Sequence, residues 1–302
     1  MMDDLRKKYY VCIDIGGTAI KYGLADENGV FADKGSVPTQ AKQYGGPGIV
    51  EKVKQIIRHY LKDRQIAGVG ISTAGIIDAK AGLVVYVMPE SIPDYSNTPF
   101  KSIIENEFGI KCTVENDVNC AALGEMWLGA GRGKSSLFAV TVGTSIGGCV
   151  LHGGKVVHGA TNSAGEIAYM RIPGGSMQEL VTTTRLIKDV SRAKSLSEAE
   201  LNGEMIFDWA KRGDTVCRKA ISDLVRHLAD GIVNIVAVLN PEIIVLGGGI
   251  MAQQEYLRPL IDRELQEKLA PNVYAGTQVE FAKLKNDAGM IGALYNFLSQ
   301  EK

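Results

Sequence analysis

Two glycine-rich bends and one acidic triplet carry the residue types and spacings that could do chemistry in this chain. Asp14, Gly16, Gly17, Thr18 and Lys21 follow one apolar run. Glycines let backbone N–H groups come close to an anion, and a threonine hydroxyl adds a donor. An acid at the end of a strand can hold Mg²⁺, directly or through water. Thr141, Gly143, Thr144, Gly147 and Gly148 repeat that chemistry after a second apolar run. One such bend alone reads equally well as a structural turn. Two in one chain, each with a threonine, point to a nucleotide polyphosphate held between two lobes. Gly247, Gly248 and Gly249 close a third apolar run. Open α/β sheets bind ligands at such strand ends, and this one suits an adenosine.

The acidic triplet Glu115-Asn116-Asp117 falls where a strand pattern gives way to a helix pattern. Asn and Asp are good helix N-caps, which is one sufficient reading. The other is a carboxylate that takes the proton of a hydroxyl as that hydroxyl attacks phosphorus. Glu166 and Glu179 lie downstream. Isolated glutamates are usually solvated, but Glu166 is preceded by small residues and followed by Ile167. The stretch from Gly129 to Ser135 imitates a P-loop, with its glycines one residue too close. A helix pattern precedes it and a strand follows, the reverse of the P-loop context, so Lys134 reads as a loop residue.

The elements that must position these groups alternate between strand and helix. Strand patterns cover 9–15, 20–25, 66–72, 111–115, 137–142, 149–151, 155–157, 242–246 and 279–283. Helix patterns cover 48–62, 100–108, 118–128, 220–239, 256–269 and 288–298. The helix ending at Leu239 is stopped by Asn240-Pro241. Strand, glycine turn with threonine, strand and tight turn occur twice, from Tyr9 to Gly29 and from Leu137 to Val157. This implies an α/β protein with a weak internal duplication, one copy per lobe.

Composition excludes several classes. The formal net charge of -1 offers no basic face for nucleic acid. The charged stretch from Met1 to Tyr10 is no signal peptide. The most apolar stretch, Ile232 to Leu246, is interrupted by Asn234, Asn240, Pro241 and Glu242 and is too short to span a bilayer. The five cysteines, at 12, 112, 120, 149 and 217, form no C-x-x-C pair and read as reduced, partly buried thiols. A soluble, cytoplasmic protein is expected, with no membrane and no nucleic-acid partner.

Taken together, these motifs resemble the ROK family (repressors, uncharacterised frames and sugar kinases) from Asp14 to about Ala293. The resemblance implies the two-lobed actin/hexokinase-like ATPase fold, related to ribonuclease H, with ATP and sugar in the cleft between lobes. It implies a small lobe over residues 1–117 and a large lobe over 118–302, with a final helix from about 288 packing back on the small lobe. Asp14 to Thr18 is similar to the family's first phosphate motif, and Val142 to Gly148 to its second phosphate loop. Glu115-Asn116-Asp117 is similar to its catalytic motif, and Gly159 to Glu166 to its signature loop. By resemblance Asp117 is the catalytic base. Asn116 and Glu166 bind sugar hydroxyls, Glu179 is a further sugar-binding acid, and Ser72, Thr73, Ala74 and Gly75 form the sugar-side loop. ATP and Mg²⁺ are the implied cofactors, with Asp14 meeting Mg²⁺ through the nucleotide. Homodimers are common in the family.

The departures narrow the reading. Most members follow the signature Gly-Glu with a zinc-binding His and a cysteine cluster. Here the His position is Tyr169, and residues 171–178 hold no cysteine. No structural zinc is therefore expected. The usual proline of the small-lobe loop is Ala74, and the usual Asn-Leu pair is missing from residues 88–95. An aromatic at position 169 can stack on an aglycone or a second sugar ring. That pattern resembles the branch that phosphorylates β-glucosides, such as cellobiose, at the 6-hydroxyl. N-acetylmannosamine kinase and glucokinase are the rival enzymes, and a non-catalytic sugar sensor is the rival of a different class. Only about a dozen residues precede Asp14, too few for the helix-turn-helix that a repressor carries.

Overall fold

The structure, a computed structural model, describes residues 7–301. The first part of the stretch read as no signal peptide, residues 1–6, lies outside the described residues. The chain is a mixed α/β protein with two five-stranded sheets, as its alternating patterns lead one to expect. It gathers into two compact units. One holds the described residues up to Arg132, His158–Ser163 and the chain from Asn286 onward. The other holds Gly133–Val157 and Ala164–Lys285. Among the described residues no helix is long and apolar enough to cross a membrane, and all five cysteines are buried free thiols.

In the first unit β1 (Tyr9–Ile15), β2 (Ala19–Asp26) and β3 (Phe31–Pro38) pair antiparallel, and β4 (Ile66–Thr73) pairs parallel to β1. A hairpin of β5 (Ile76–Asp78) and β6 (Leu83–Tyr86) follows, and β7 (Cys112–Asn116) completes the sheet in the order β3-β2-β1-β4-β7. Its helices are α1 (Ala41–Leu61), α2 (Phe100–Phe108), α3 (Asp117–Leu128) and, late in the chain, α10 (Ala288–Gln300). The strand period of two divides β1 between two cores. Val11, Ile13 and Ile15 pack with Ile49, Val53 and Ile57 of α1. Tyr10 and Cys12 pack on the other face with Met290, Leu294 and Phe297 of α10. The α3–α10 contact is backbone-close, because a Cβ on Gly292 would sit 1.6 Å from the Cys120 carbonyl oxygen.

The second unit repeats the plan. β8 (Ser136–Val142), β9 (Ile146–His152) and β10 (Lys155–Val156) pair antiparallel. A small hairpin, β11 (Arg171–Ile172) and β12 (Gly175–Ser176), leads into the helices α4 (Met177–Leu180), α5 (Thr183–Lys194), α6 (Gly203–Lys211) and α7 (Thr215–Leu239). Next come β13 (Ile243–Gly247), α8 (Gln254–Lys268), α9 (Pro271–Gly276) and β14 (Gln278–Phe281). The sheet order is β10-β9-β8-β13-β14, with β13 parallel to both β8 and β14. Strand for strand, this is the topology of the first sheet. α7 ends at Asn240, which takes a left-handed φ of 41° just before Pro241.

Candidate active site

The alternation along β1 also places Asp14. It shares a face with Tyr10 and Cys12, so it meets α10 at that helix's first turn. A Cβ on Gly289 would lie 2.5 Å from Asp14 Oδ1. Ser72 Oγ, at the end of β4, donates to Asp14 Oδ1 at 2.7 Å, and Lys21 Nζ lies 3.8 Å from Oδ2. Burial raises the Asp14 pKa, and the Ser72 hydrogen bond and the Lys21 charge work against that rise. Of the residues expected on the sugar side, Ser72 is spent on Asp14, and Thr73 Oγ1 is 2.7 Å from the Tyr95 hydroxyl in a buried pair. Ala74 and Gly75 are partly exposed.

Between β1 and β2 the chain turns through Gly16, Gly17 and Thr18. The Gly16 amide donates to the Ala19 carbonyl, and the Thr39 amide and hydroxyl donate to the carbonyls of Thr18 and Gly16. Neither glycine has a left-handed φ, and a Cβ on Gly17 would meet nothing within 4 Å. The fold therefore does not require glycine at 17. The second bend has the same property at Gly143, whose added Cβ would find its nearest neighbour 3.7 Å away. That bend is braced from below: Gly143 and Thr144 carbonyls accept from the Thr183 amide and the Thr184 hydroxyl, and Gln178 Oε1 accepts from Ser145 Oγ and the Ile146 amide. Gly148, by contrast, is a packing residue, since a Cβ there would lie 2.7 Å from the Gly165 carbonyl oxygen. The third bend divides likewise. Gly248 has a φ of 96° and backs onto Val142, while Gly249 faces open space and Gly247 makes ordinary contacts.

The acidic triplet closes β7 and opens α3. Asn116 is the helix N-cap, with Oδ1 accepting from the Val118 and Asn119 amides at 2.8 and 3.1 Å. Its Nδ2 donates to the Gly75 carbonyl at 3.0 Å. With both acceptor positions and one donor in use, one N–H remains to offer a ligand. Asp117 is the first residue of α3 and half-buried; its Oδ1 also accepts from the Val118 amide at 3.0 Å. Glu115 is 1% exposed and hydrogen-bonded through both carboxylate oxygens.

In the second unit Glu166 caps a short 3₁₀ turn, Ile167–Tyr169. It is half-buried, burial raises its pKa, and its carboxylate accepts no hydrogen bond from the described residues. Tyr169 is 81% exposed. Glu179 is engaged within its own helix turn. It forms a capping box with Ser176 at the start of α4 and lies 3.5 Å from Arg171. Those bonds lower its pKa. Among the described residues no three His, Cys, Asp or Glu side chains form a group that could hold a metal ion.

Within the first unit the structure thus joins Asp14, Ser72 and Lys21, and separately Gly75, Asn116 and Asp117. Sequence reasoning missed Gln178, Thr183 and Thr184 under the second bend, Tyr95 behind Thr73, and His158 beside Glu115. All are long-range partners, and none stands in a local pattern that marks it.

Comparison with known proteins bears on this arrangement. The ROK family model matches residues 10–300. The chain belongs to the ROK family. An uncharacterized protein of Clostridium perfringens is 46% identical over 288 residues, which cover 95% of this chain and 97% of that protein. The β-glucoside kinase of Listeria innocua is 31% identical over 296 residues, covering 95% and 97%. Among solved structures, a ROK family glucokinase from Streptomyces griseus in complex with glucose and AMPPNP superposes with a TM-score of 0.80. It is 26% identical and matches 97% of this chain and 100% of its own.

Proposed function

We propose that this ROK protein is an ATP-dependent sugar kinase. The observation that carries the reading is the pair of glycines, Gly17 and Gly143, that neither backbone conformation nor packing demands. Each lies in the bend between the first two strands of its sheet, where bare backbone can approach a phosphate. A ligand's close approach is the remaining reason for glycine there. Asp14 supplies one oxygen-donor carboxylate. That fits Mg²⁺, which keeps several waters and binds through one or two carboxylates together with substrate phosphates. Bound there, the ion would neutralise charge on the transferring phosphoryl group.

Asp117 acts as the base. The sugar oxygen forms its bond to the γ-phosphorus, the bond from phosphorus to the bridging oxygen of ADP breaks, and the hydroxyl proton passes to the Asp117 carboxylate. Asn116 contributes its spare N–H to the sugar. Glu166, desolvated and without a protein donor, accepts from sugar hydroxyls. The acceptor we favour is the 6-hydroxyl of a β-glucoside. The exposed ring of Tyr169, three residues after Glu166, offers a face for an aglycone or second sugar, and the Listeria innocua relative bears that activity in its name. N-acetylmannosamine and free glucose are the competing acceptors.

The test is kcat/KM for cellobiose, an aryl β-glucoside, glucose and N-acetylmannosamine under identical ATP and Mg²⁺. Both β-glucosides should be preferred. A tenfold or greater preference for a free monosaccharide removes the β-glucoside assignment. Stoichiometric sugar binding with no turnover of any acceptor replaces the kinase with a sensor.

A further inference from the structure

We propose that His158 is a positioning residue for Asp117, acting through Glu115; this rests on the kinase reading above. Glu115 is 1% exposed, and a buried carboxylate must be supplied with donors to stay in place. Its two oxygens face different parts of the unit. Oε1 accepts from the Asn116 amide at 2.8 Å and from Asn119 Nδ2 at 2.9 Å. Both donors belong to the junction that presents Asp117. Oε2 is held by His158 Nε2 at 2.7 Å. The carboxylate is therefore a bridge, anchored by the imidazole on one side and holding the head of α3 on the other.

His158 comes from far away in the chain. It opens the segment His158–Ser163, which joins the first unit between two stretches of the second. On its open side it borders a hollow of about 310 Å³ lined also by Asp78, Lys80 and Asn162. The charged groups facing it are Glu115 from β7, Asp78 at the end of β5 and Lys80 in the following turn. Glu115 and Asp78 both favour the charged imidazole, and its pKa is raised, chiefly by the Glu115 hydrogen bond. Without the ring, water from this hollow would reach Glu115 Oε2. The carboxylate could then tilt, releasing the Asn116 amide and the Asn119 side chain together. A base displaced by a fraction of an ångström loses catalysis, while a nucleotide held by the glycine bends is untouched.

The experiment compares His158→Leu, which deletes the donor at similar volume, with His158→Gln, which keeps an N–H donor. Glu115→Gln and the double variant complete the cycle. His158→Leu should lower kcat about tenfold or more while KM for ATP changes less than about twofold. His158→Gln should recover kcat to within about threefold of wild type. Adding His158→Leu to Glu115→Gln should cost little beyond the single change, because both act on one bridge. Equal losses in the Leu and Gln variants, additive losses in the double variant, or kcat within twofold for His158→Leu would each overturn the proposal. Should His158→Leu fail to fold, His158→Asn, too short to reach Glu115, takes its place with the same outcomes. Asp117→Asn in the same assay separates the two readings. An inactive Asp117→Asn beside an unslowed His158→Leu sinks only the positioning role, while an active Asp117→Asn sinks the assignment of the base on which it rests.

Discussion

Asp117 accepts a backbone hydrogen bond and the Glu166 carboxylate accepts none from the described residues, and their variants should behave differently. Asp117 sits at the first turn of α3, where the Val118 amide donates to its Oδ1 at 3.0 Å. Asp117→Asn keeps the shape and a capping oxygen but removes the proton acceptor. Turnover should fall by about 10² to 10⁴, with nucleotide affinity and melting temperature nearly unchanged; retention of half the wild-type kcat would contradict the role of base. Glu166 is desolvated without a protein donor, and its pKa is raised. A carboxyl with a raised folded-state pKa stabilises the fold while protonated and loses that contribution as pH rises through its pKa. At neutral pH the ionised group therefore opposes folding. Glu166→Gln should raise the melting temperature by about 1–3 °C and lower kcat/KM for the sugar, and the stability gain should vanish in acid. A fall in melting temperature at neutral pH would contradict this. At this scale the sequence displayed the Asn116-Asp117 pair because its types and its strand–helix context are local. It did not display the burial of Ser72 and Thr73, which depends on Asp14 and Tyr95 arriving from elsewhere in the chain.

Glycine bends show the same division between elements. Gly17 faces open space in ordinary backbone, whereas Gly248 has a φ of 96° and a Cβ there would lie 2.3 Å from the Val142 carbonyl oxygen. Gly17→Ala should fold with an unchanged melting temperature and bind ATP more weakly. Gly248→Ala should lose at least about 5 °C of melting temperature through left-handed strain and the clash. Circular dichroism melts beside nucleotide titrations read both; a destabilised Gly17→Ala with intact ATP affinity would make that bend a structural turn only. Element boundaries were legible where burial is two-sided or periodic. Tyr9–Ile15 and Phe100–Phe108 come out residue for residue. β3 escapes notice because it is an edge strand whose side chains are largely exposed, so no alternation of apolar residues marks it. α1 begins at Ala41 rather than Gly48 because a kink at Gly45, φ 57° and ψ −161°, joins an irregular first turn to the regular helix. α5 is polar, with Leu186 and Val190 its buried residues, too sparse an apolar stripe to show.

Across the whole molecule, the segment that follows Glu166 is held by packing. Ile167, Ile172, Met177, Leu180 and Val181 join the core of the second unit, and Met177 fills the space over Gly231 on α7. The β11–β12 hairpin and the Ser176–Glu179 capping box close the turn between them. Elemental analysis of protein purified without chelator should find well below one zinc per chain, and EDTA should leave the melting temperature unchanged. Stoichiometric zinc that survives dialysis would contradict the expectation drawn from Tyr169 and the absent cysteines. The doubled sheet topology was legible as a repeated strand–turn–strand plan. The return of His158–Ser163 to the first unit was not, because no local pattern marks that segment. The polypeptide passes between the two units four times, at 132/133, 157/158, 163/164 and 285/286. During synthesis, then, the helix that covers Tyr10 and Cys12 and backs Asp14 emerges only after every residue of the second unit. Until that helix follows, Tyr10 and Cys12 lack the Met290, Leu294 and Phe297 side chains that bury them, so the nascent chain depends on a late arrival to finish covering its earliest strand.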